Sequence, residues 1–223
     1  MIKAVLFDLD GTLLNRDASV VTFIEDQYER LQQIIGHIPK RLYIDRFLQL
    51  DNGGYTWKDQ VYAQLVKEFD ITAVTSEQLL EDYLIRFNRH CIPFPAVKET
   101  LQQLRKLHLK IGMITNGKEI FQMENIRALG ITQLLDVILI SESEGVKKPD
   151  AAIFHRALKQ LQVIPSESIF IGDHPVNDVE AARNVGMRAI WKRDNRWDAV
   201  KADFTIDGLQ EILDIVRQLR ASD

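Results

Sequence analysis

The sequence of 223 residues predicts an α/β fold in which an all-helical domain interrupts a doubly wound parallel sheet. Two observations lead to this prediction. From residue 93 onward, short apolar segments alternate with segments of helical periodicity, which is the pattern of βαβ units and a parallel sheet. Between residues 15 and 92, the apolar residues recur with helical spacing, and no segment there indicates a strand.

The first predicted strand is the apolar run at residues 2–7, which is followed by Asp8, Asp10 and Gly11. Its shortness, its Val and Ile content and the glycine after it favour a buried strand over a helical turn. Four helices are predicted in the interrupting segment, at residues 20–35, 41–50, 56–69 and 76–90.

After residue 93, helices and strands alternate. The predicted strands are residues 110–115, 137–140, 168–171, 188–191 and 204–206. The predicted helices are residues 97–107, 119–129, 151–161, 178–185 and 209–219. Helices of this length between strands indicate crossover connections in a parallel sheet.

The length of chain after the first strand defines the domains. A connection from a strand to the next helix usually takes 2–6 residues, whereas about 80 residues intervene here. A structureless loop of that size is implausible. We therefore expect residues 1–14 and 93–223 to form the α/β core and residues 15–92 to form a separate helical domain.

Composition excludes several classes of protein. The 28 basic and 32 acidic residues give a net charge of −4, which argues against broad binding to nucleic acids or anionic membranes. The single cysteine, Cys91, excludes an internal disulfide framework and a multi-thiolate zinc site. No apolar run is long enough to span a membrane, and the first apolar run is too short for a signal peptide. We expect a cytoplasmic protein, and no feature of the sequence indicates its oligomeric state.

Polar residues follow the predicted strands, and ligands of open parallel sheets bind outside the carboxyl ends of the strands. After the first strand, Asp8 and Asp10 are separated by one residue, so alternation would put both carboxylates on one side of an extended chain. This pair suits a nucleophile or metal ligand beside a general acid/base. The alternative is a solvated strand end followed by a glycine turn.

The second strand ends at Thr115, before Asn116 and Gly117. Asn-Gly is also a hairpin signal, but the next segment has helical spacing. We therefore expect a strand-to-helix turn whose Thr115 hydroxyl and backbone N–H groups bind phosphate. After the third strand, Pro149 restricts the backbone of Lys148, and a backbone fixed in this way can direct the ammonium into the same crevice. The alternative is a solvated pair of lysines, which the position of this loop at the crevice makes less favoured.

The fourth strand is followed by Asp173 and Asp178, the latter also a candidate helix cap. Four carboxylates in one crevice repel each other in a medium of reduced dielectric. A hard divalent cation relieves this repulsion, and ligation by oxygen alone with room for water suits Mg²⁺.

Four groups of residues together resemble the ordered motifs of the haloacid dehalogenase-like (HAD) superfamily of phosphohydrolases. They are Asp8 to Thr12, Thr115-Asn116, Lys148-Pro149-Asp150, and Gly172-Asp173 with Asn177-Asp178. The resemblance covers the whole chain, and it implies a Rossmann-like core with a helical cap of the C1 type inserted after the first motif. Ala151 stands where many relatives have proline.

The resemblance also implies a mechanism. Asp8 is expected to form an aspartyl-phosphate, while Asp10 protonates the leaving alcohol and later activates water. Thr115 and Lys148 are expected to stabilise the phosphoryl group, with Asn116 and Gly117 beside them. The expected Mg²⁺ ligands are Asp8, Asp173 and the backbone carbonyl of Asp10, with Asp178 in the surrounding shell.

This resemblance implies a phosphatase that acts on a small phosphorylated metabolite, such as a nucleotide or sugar phosphate. Relatives that dehalogenate lack an aspartate at the position of Asp10. Two alternatives stay open: a phosphosugar mutase that uses the same aspartyl-phosphate, and a non-catalytic binding module on the same scaffold.

Overall fold

The computed structural model of the chain describes residues 1–221, which fall into two compact units. One comprises Met1–Asn15 and the chain from Pro93 onward, and the other is Arg16–Ile92.

The strands are β1 (Ala4–Phe7), β2 (Lys110–Thr115), β3 (Val137–Ile140), β4 (Ser168–Gly172), β5 (Arg188–Lys192) and β6 (Phe204–Ile206). The helices of the first unit are α6 (Val97–Lys106), α7 (Glu119–Leu129), α8 (Ser141–Glu144), α9 (Ala151–Leu161), α10 (Ala181–Asn184) and α11 (Glu211–Ala221). Those of the second unit are α1 (Arg16–Arg30), α2 (Gln32–Ile35), α3 (Lys40–Asp51), α4 (Lys58–Glu68) and α5 (Ser76–Arg86).

The strands form one parallel sheet in the order β3-β2-β1-β4-β5-β6. The predicted fold class is confirmed. In this sheet Phe7 of β1 lies in register with Met113 of β2 and Ile171 of β4. The chain leaves β1 toward β2 on one side and later returns to β4 on the other, so the strand order reverses at β1. The crevice outside the carboxyl ends of the strands at such a reversal is where ligands bind in doubly wound sheets.

Both faces of the sheet are covered, as expected for parallel strands that are apolar throughout. Ala4 and Leu6 pack in a buried cluster with Phe154 of α9 and Phe170 of β4. The intervening Val5 points to the opposite face and is also fully buried. On the described chain, α6 packs against β2 and against α11.

The helical unit has an aromatic core. Tyr43 and Phe47 of α3 and Tyr62 of α4 are fully buried, and the rings of Phe47 and Tyr62 lie 5.5 Å apart. Helix α5 begins with a reciprocal capping box between Thr75 and Gln78. No helix among residues 1–221 has the length and apolar character needed to cross a bilayer.

Three predicted helix boundaries are wrong. The helix predicted at residues 20–35 begins earlier, at Arg16, and is interrupted at Leu31 before α2. The helix predicted at residues 76–90 changes to a 3-10 helix at Phe87–His90. The segment predicted as a helix at residues 178–185 is a π-helical turn, Pro175–Glu180, followed by α10.

Candidate active site

The carboxyl edge of the sheet gathers the residues that the sequence places after its strands. Asp8 follows β1, Thr115 is the last residue of β2, and Asp173 follows Gly172 at the end of β4. Asp8, Thr115 and Asp173 are buried, as are Lys148 from the loop before α9 and Asp178 from the π-helical turn. Adjacent strand ends explain this assembly, because β2, β1 and β4 are neighbours in the sheet.

Lys148 lies at the centre of the site. Its Nζ donates to Asp8 Oδ1 and to Asp178 Oδ1, each at 2.6 Å. The side chain of Asn116 holds the main chain of Lys148 from both sides, since Nδ2 donates to the Lys148 carbonyl at 2.9 Å and Oδ1 accepts from its N–H at 2.9 Å. Asp150 caps α9 by accepting from the N–H of Ala152 at 2.8 Å, as its sequence position predicts. Asn116 therefore fixes the backbone of Lys148, and the carboxylates of Asp8 and Asp178 fix its ammonium.

Three carboxylates share this small volume. Asp8, Asp173 and Asp178 each present an oxygen, and these oxygens lie within 4.8 Å of one another. Burial raises the pKa of Asp8 well above its usual value; the charge of Lys148 opposes this shift, and the charges of Asp178 and Asp173 add to it. Burial, with the charge of Asp178, raises the pKa of Asp173 to about 7. The Lys148 ammonium contacts only two of these three buried carboxylates, Asp8 and Asp178. The all-oxygen donor set of the three fits a divalent cation such as Mg²⁺.

Asp10 is half-buried and is held from the side by Gln122 of α7. Gln122 Nε2 donates to Asp10 Oδ2 at 2.7 Å and to Thr115 Oγ1 at 2.7 Å. This amide joins the side chain of the predicted acid/base to that of the predicted phosphate ligand. Gln122 was not among the predicted site residues, although a glutamine on the helix that follows the second motif is a polar side chain directed toward the sheet edge.

Gly117 lies where the chain leaves β2 for α7. Its N–H donates to Ser141 Oγ at 2.9 Å, and a Cβ at this position would lie 2.8 Å from Gln122 Cγ. Glycine therefore permits the close approach of Gln122 to the loop. The roles of Asn116 and Gly117 in binding phosphate stay predictions, and the side chain of Asn116 is engaged by Lys148.

Comparison with known proteins assigns the family. The model of the family described as haloacid dehalogenase-like hydrolase matches residues 5–192. The chain belongs to the haloacid dehalogenase-like hydrolase family. The resemblance stated from the motifs is confirmed, and so is the prediction that the chain is a hydrolase of this kind.

Three similar proteins illustrate the range of this family. The chain is 30% identical to a glyceraldehyde 3-phosphate phosphatase of Methanocaldococcus jannaschii, over 99% of this chain and 99% of that protein. A solved HAD phosphatase from Thermococcus onnurineus is 31% identical, with a TM-score of 0.70 over 96% of this chain and 98% of that one. A solved 2-haloacid dehalogenase from Pseudomonas syringae is 27% identical, with a TM-score of 0.67 over 98% of this chain and 100% of that one.

Residues of β5 and of the segment after it also contact the site of this haloacid dehalogenase-like hydrolase, and the sequence did not predict them. Trp191 Nε1 donates to the carbonyl of Asp173 at 2.8 Å, and Lys192 Nζ donates to the carbonyl of Gly11 at 3.0 Å. Arg196 Nη2 lies 3.4 Å from Asp173 Oδ2. The signal available in the sequence was position alone, because Trp191 and Lys192 are the last residues of the strand next to β4 and Arg196 follows that strand.

The structure gives Asp178 more contacts than a helix cap has. Its Oδ2 accepts from the N–H of His174 at 3.0 Å, while Oδ1 accepts from Lys148. The cap of the π-helical turn is instead His174, whose Nδ1 accepts from the N–H groups of Val176 and Asn177. Asp178 therefore links the backbone that follows β4 to Lys148, which lies in the loop before α9.

Proposed function

We propose that this hydrolase is a Mg²⁺-dependent phosphatase that cleaves a small-molecule phosphate monoester through an aspartyl-phosphate on Asp8. The observation that carries the proposal is the contact of the Lys148 ammonium with Asp8 inside a group of three buried carboxylates. Relatives named as phosphatases, including the glyceraldehyde 3-phosphate phosphatase that matches the full chain, support the same reaction class.

In this proposal, the Asp8 carboxylate attacks phosphorus, so that a phosphorus–oxygen bond to Asp8 forms as the bond to the leaving alcohol breaks. Covalent catalysis by a carboxylate divides one difficult displacement into two easier ones. Water then attacks the aspartyl-phosphate, which releases inorganic phosphate and restores Asp8. The hydrogen bond from Lys148 keeps the Asp8 carboxylate in place for the attack.

Asp10 transfers the protons. It protonates the leaving oxygen in the first step and takes a proton from the attacking water in the second, and positioned proton transfer of this kind typically contributes about 10²–10⁴ in rate. Asp10 follows Asp8 by two residues at the carboxyl end of β1. The hydrogen bond from Gln122 holds its carboxyl group.

The phosphoryl oxygens are held by this chain's cationic and polar groups. Lys148 supplies a buried positive charge, and Thr115 supplies a hydroxyl at the end of β2. Donors fixed in place before the reaction stabilise the charge that develops in the transition state. Asn116 contributes chiefly by positioning the backbone of Lys148, because both ends of its amide are bound there.

The same carboxylates supply ligands for Mg²⁺. Asp8, Asp173 and the backbone carbonyl of Asp10 would hold the ion, and Asp178 would stand behind them through its bond to Lys148. The bound ion supplies positive charge that neutralises the phosphoryl oxygens.

A dehalogenase is the second candidate, because a 2-haloacid dehalogenase is among the similar structures. Loss of a halide needs no proton donor, whereas here the buried amide of Gln122 holds the carboxyl group of Asp10, two residues after Asp8. Asp10 therefore favours phosphoryl transfer to water. A phosphosugar mutase would use the same residues, and it differs in requiring a bisphosphate to complete its cycle.

The test is phosphate release with Mg²⁺ from a panel that includes glyceraldehyde 3-phosphate, phosphoserine and p-nitrophenyl phosphate, with a 2-haloacid and a hexose monophosphate as alternative substrates. We expect Asp8→Asn and Asp10→Asn to abolish turnover while the protein stays folded. Label from ³²P-substrate should remain on the acid-quenched wild type and be absent from Asp8→Asn.

The matched control is Asp207→Asn, since the Asp207 side chain is 76% exposed and forms an ion pair with Arg193, outside the site. This variant should retain full activity. Normal turnover in either Asp8→Asn or Asp10→Asn would contradict the proposed function. Halide release, or hexose phosphate turnover that depends on a bisphosphate activator, would replace it with one of the alternatives.

A further inference from the structure

Two amides of α7 are buried below the site. Gln122 is 2% exposed and Asn125 is fully buried. A buried amide is costly unless its donors and acceptor are hydrogen-bonded. The hydrogen bonds of Gln122 lead to two groups of the proposed mechanism rather than to the hydrophobic core, which separates it from an ordinary buried polar residue.

The orientation of the Gln122 amide is fixed from both ends. Its Nε2 donates to Asp10 Oδ2 and to Thr115 Oγ1, each at 2.7 Å, and its Oε1 accepts from Asn125 Nδ2 at 3.2 Å. A rotation of the amide by 180° would turn Oε1 toward the Asp10 carboxylate, where two acceptors would face each other. It would also turn Nε2 toward the Asn125 donor.

This orientation has a consequence for each partner. Oδ2 of Asp10 is engaged as an acceptor, which leaves Oδ1 as the oxygen that carries the transferable proton. Oγ1 of Thr115 accepts from Gln122, so the hydroxyl's own hydrogen points elsewhere and is available to a phosphoryl oxygen. One amide therefore sets the proton position on the acid and the direction of the hydroxyl donor.

We propose that Gln122 is a positioning residue that makes Oδ1 the proton-transfer atom of Asp10 and turns the Thr115 hydroxyl toward the phosphoryl group, with Asn125 fixing the amide. The proposal rests on the phosphatase function above. In the first step, the proton passes from Asp10 Oδ1 to the leaving oxygen as the phosphorus–oxygen bond breaks. Gln122 itself exchanges no proton and touches no substrate.

The test compares two substrates of nearly equal shape, phenyl phosphate and p-nitrophenyl phosphate. Phenol has a pKa near that of tyrosine, about 10, so its departure needs the proton, whereas nitrophenolate is a far weaker base and leaves without it. Gln122→Met keeps the length of the side chain and removes both donors. We expect kcat/KM to fall by roughly 10² with phenyl phosphate and by less than about tenfold with p-nitrophenyl phosphate.

Asp10→Asn provides the reference. Although this variant should not turn over, its release of the leaving group in a single turnover should show the same dependence on the leaving group, because the acid itself is lost. Gln122→Leu is a second variant if the methionine variant does not fold, and it also lacks both donors, so the same pattern is expected. Gln27→Met is the matched control. Gln27 is a fully buried glutamine of the helical unit whose amide donates to Leu79 and Asp82, and its variant should leave the ratio of the two substrates unchanged.

Equal losses on both substrates in a folded Gln122 variant would overturn the inference, because a merely structural role predicts that result. Full activity on both substrates would overturn it as well. If Asp10→Asn shows the leaving-group dependence and the Gln122 variants do not, only the positioning role fails. If Asp10→Asn itself lacks that dependence, the proposed acid role of Asp10 fails instead.

Discussion

The ammonium of Lys148 donates to the carboxylate of Asp8 at 2.6 Å across a separation of 140 residues in the chain. Burial alone would lower the pKa of Lys148, but the charges of Asp178 and Asp8 outweigh burial and raise the pKa above its usual value. The lysine is therefore charged at neutral pH. It is the cation that allows the carboxylates at the ends of β1 and β4 to be buried together.

Removal of this charge should affect stability as well as activity. We expect Lys148→Met to lower the free energy of unfolding by about 3–5 kcal/mol, because it leaves buried carboxylates without their partner. Phosphate release should fall by more than about 10², since a buried donor to the reacting group is lost. Urea unfolding and steady-state kinetics measure the two effects.

Lys147→Met is the control for this variant, since Lys147 is the exposed neighbour of Lys148. It should change the free energy of unfolding by less than about 0.5 kcal/mol. Adding Asp178→Asn to Lys148→Met should recover part of the lost stability, because one unpaired carboxylate is removed. A Lys148→Met variant as stable as the wild type would show that the ion pairs are not coupled to folding.

The carboxylate group predicts an unusual response to Mg²⁺. The wild type should gain thermal stability with Mg²⁺, by about 2.7 kcal/mol at a hundred times its Kd. Asp173→Asn should lose most of this gain. In EDTA, however, the variant should be more stable than the wild type, because it lacks one of three mutually repelling buried carboxylates.

Thermal unfolding with EDTA and across a Mg²⁺ titration tests this reversal. Asp198→Asn is the control, since Asp198 is exposed and should leave both curves unchanged. An Asp173→Asn variant that responds to Mg²⁺ like the wild type would remove Asp173 from the metal site. An Asp173→Asn variant that is less stable than the wild type in EDTA would contradict the proposed repulsion among the carboxylates of Asp8, Asp173 and Asp178.

Position 172 requires glycine because the side chain of Asp178 lies close to its backbone, and not because of its backbone angles. A Cβ there would overlap the side chain of Asp178. We expect Gly172→Ala to cost about 1–3 kcal/mol of stability through overpacking and to lower kcat by displacing Asp178 from Lys148. Circular dichroism melts and phosphate release measure both effects.

Gly145→Ala separates this effect from the general cost of replacing a glycine. Gly145 has a φ of 64°, and a Cβ there would meet none of the described atoms within 4 Å. The substitution should cost about 1–2 kcal/mol, because an L side chain is strained in the left-handed region, and it should leave kcat unchanged. Equal kcat values for the two variants would contradict the role of Gly172.

The strand-end residues could be predicted from the sequence because local signals define them. An apolar run followed by Asp8 and Asp10, or by Asp173, marks the carboxyl end of a strand, and parallel topology then brings these ends together. Gln122 could not be predicted in the same way. Helical spacing places it on α7, but it does not fix the rotation that directs its amide at Asp10.

Contacts distant in sequence explain the other differences. Asn116 stays predicted to lie beside the phosphate, and the sequence does not indicate that its amide also holds the backbone of Lys148, 32 residues further along the chain. The helix predicted from residue 178 is instead preceded by a π-helical turn at Pro175–Glu180, in which Asp178 is bound by both His174 and Lys148. Hydrogen bonds between loops that are distant in the sequence determine these features, and the spacing of apolar residues does not indicate such bonds.

The helical unit contains an ion pair whose effect depends on pH. Asp82 of α5 accepts from Arg30 Nη1 at 2.7 Å and Nη2 at 2.8 Å, and from Gln27 at 2.9 Å. Burial raises the pKa of Asp82, but the hydrogen bonds from Arg30 and Gln27 outweigh burial, so the pKa lies below its usual value. A carboxyl group whose pKa is lower in the folded state contributes stability above the unfolded pKa, and that stability disappears as pH falls through the folded pKa.

We therefore expect Asp82→Asn to lower the free energy of unfolding by about 1 kcal/mol at pH 7, a modest value because solvent screens a partly exposed pair. The difference from the wild type should shrink below about pH 4, the usual pKa of aspartate, and vanish near the lowest pH at which the protein folds. Asp45→Asn is the control, since Asp45 is 64% exposed and lies 3.5 Å from Arg41. Its effect should stay within about 0.5 kcal/mol at every pH. Urea unfolding from pH 7 to pH 3 measures both variants, and an Asp82→Asn deficit that persists undiminished at pH 3 would show that packing, not charge, makes the contribution.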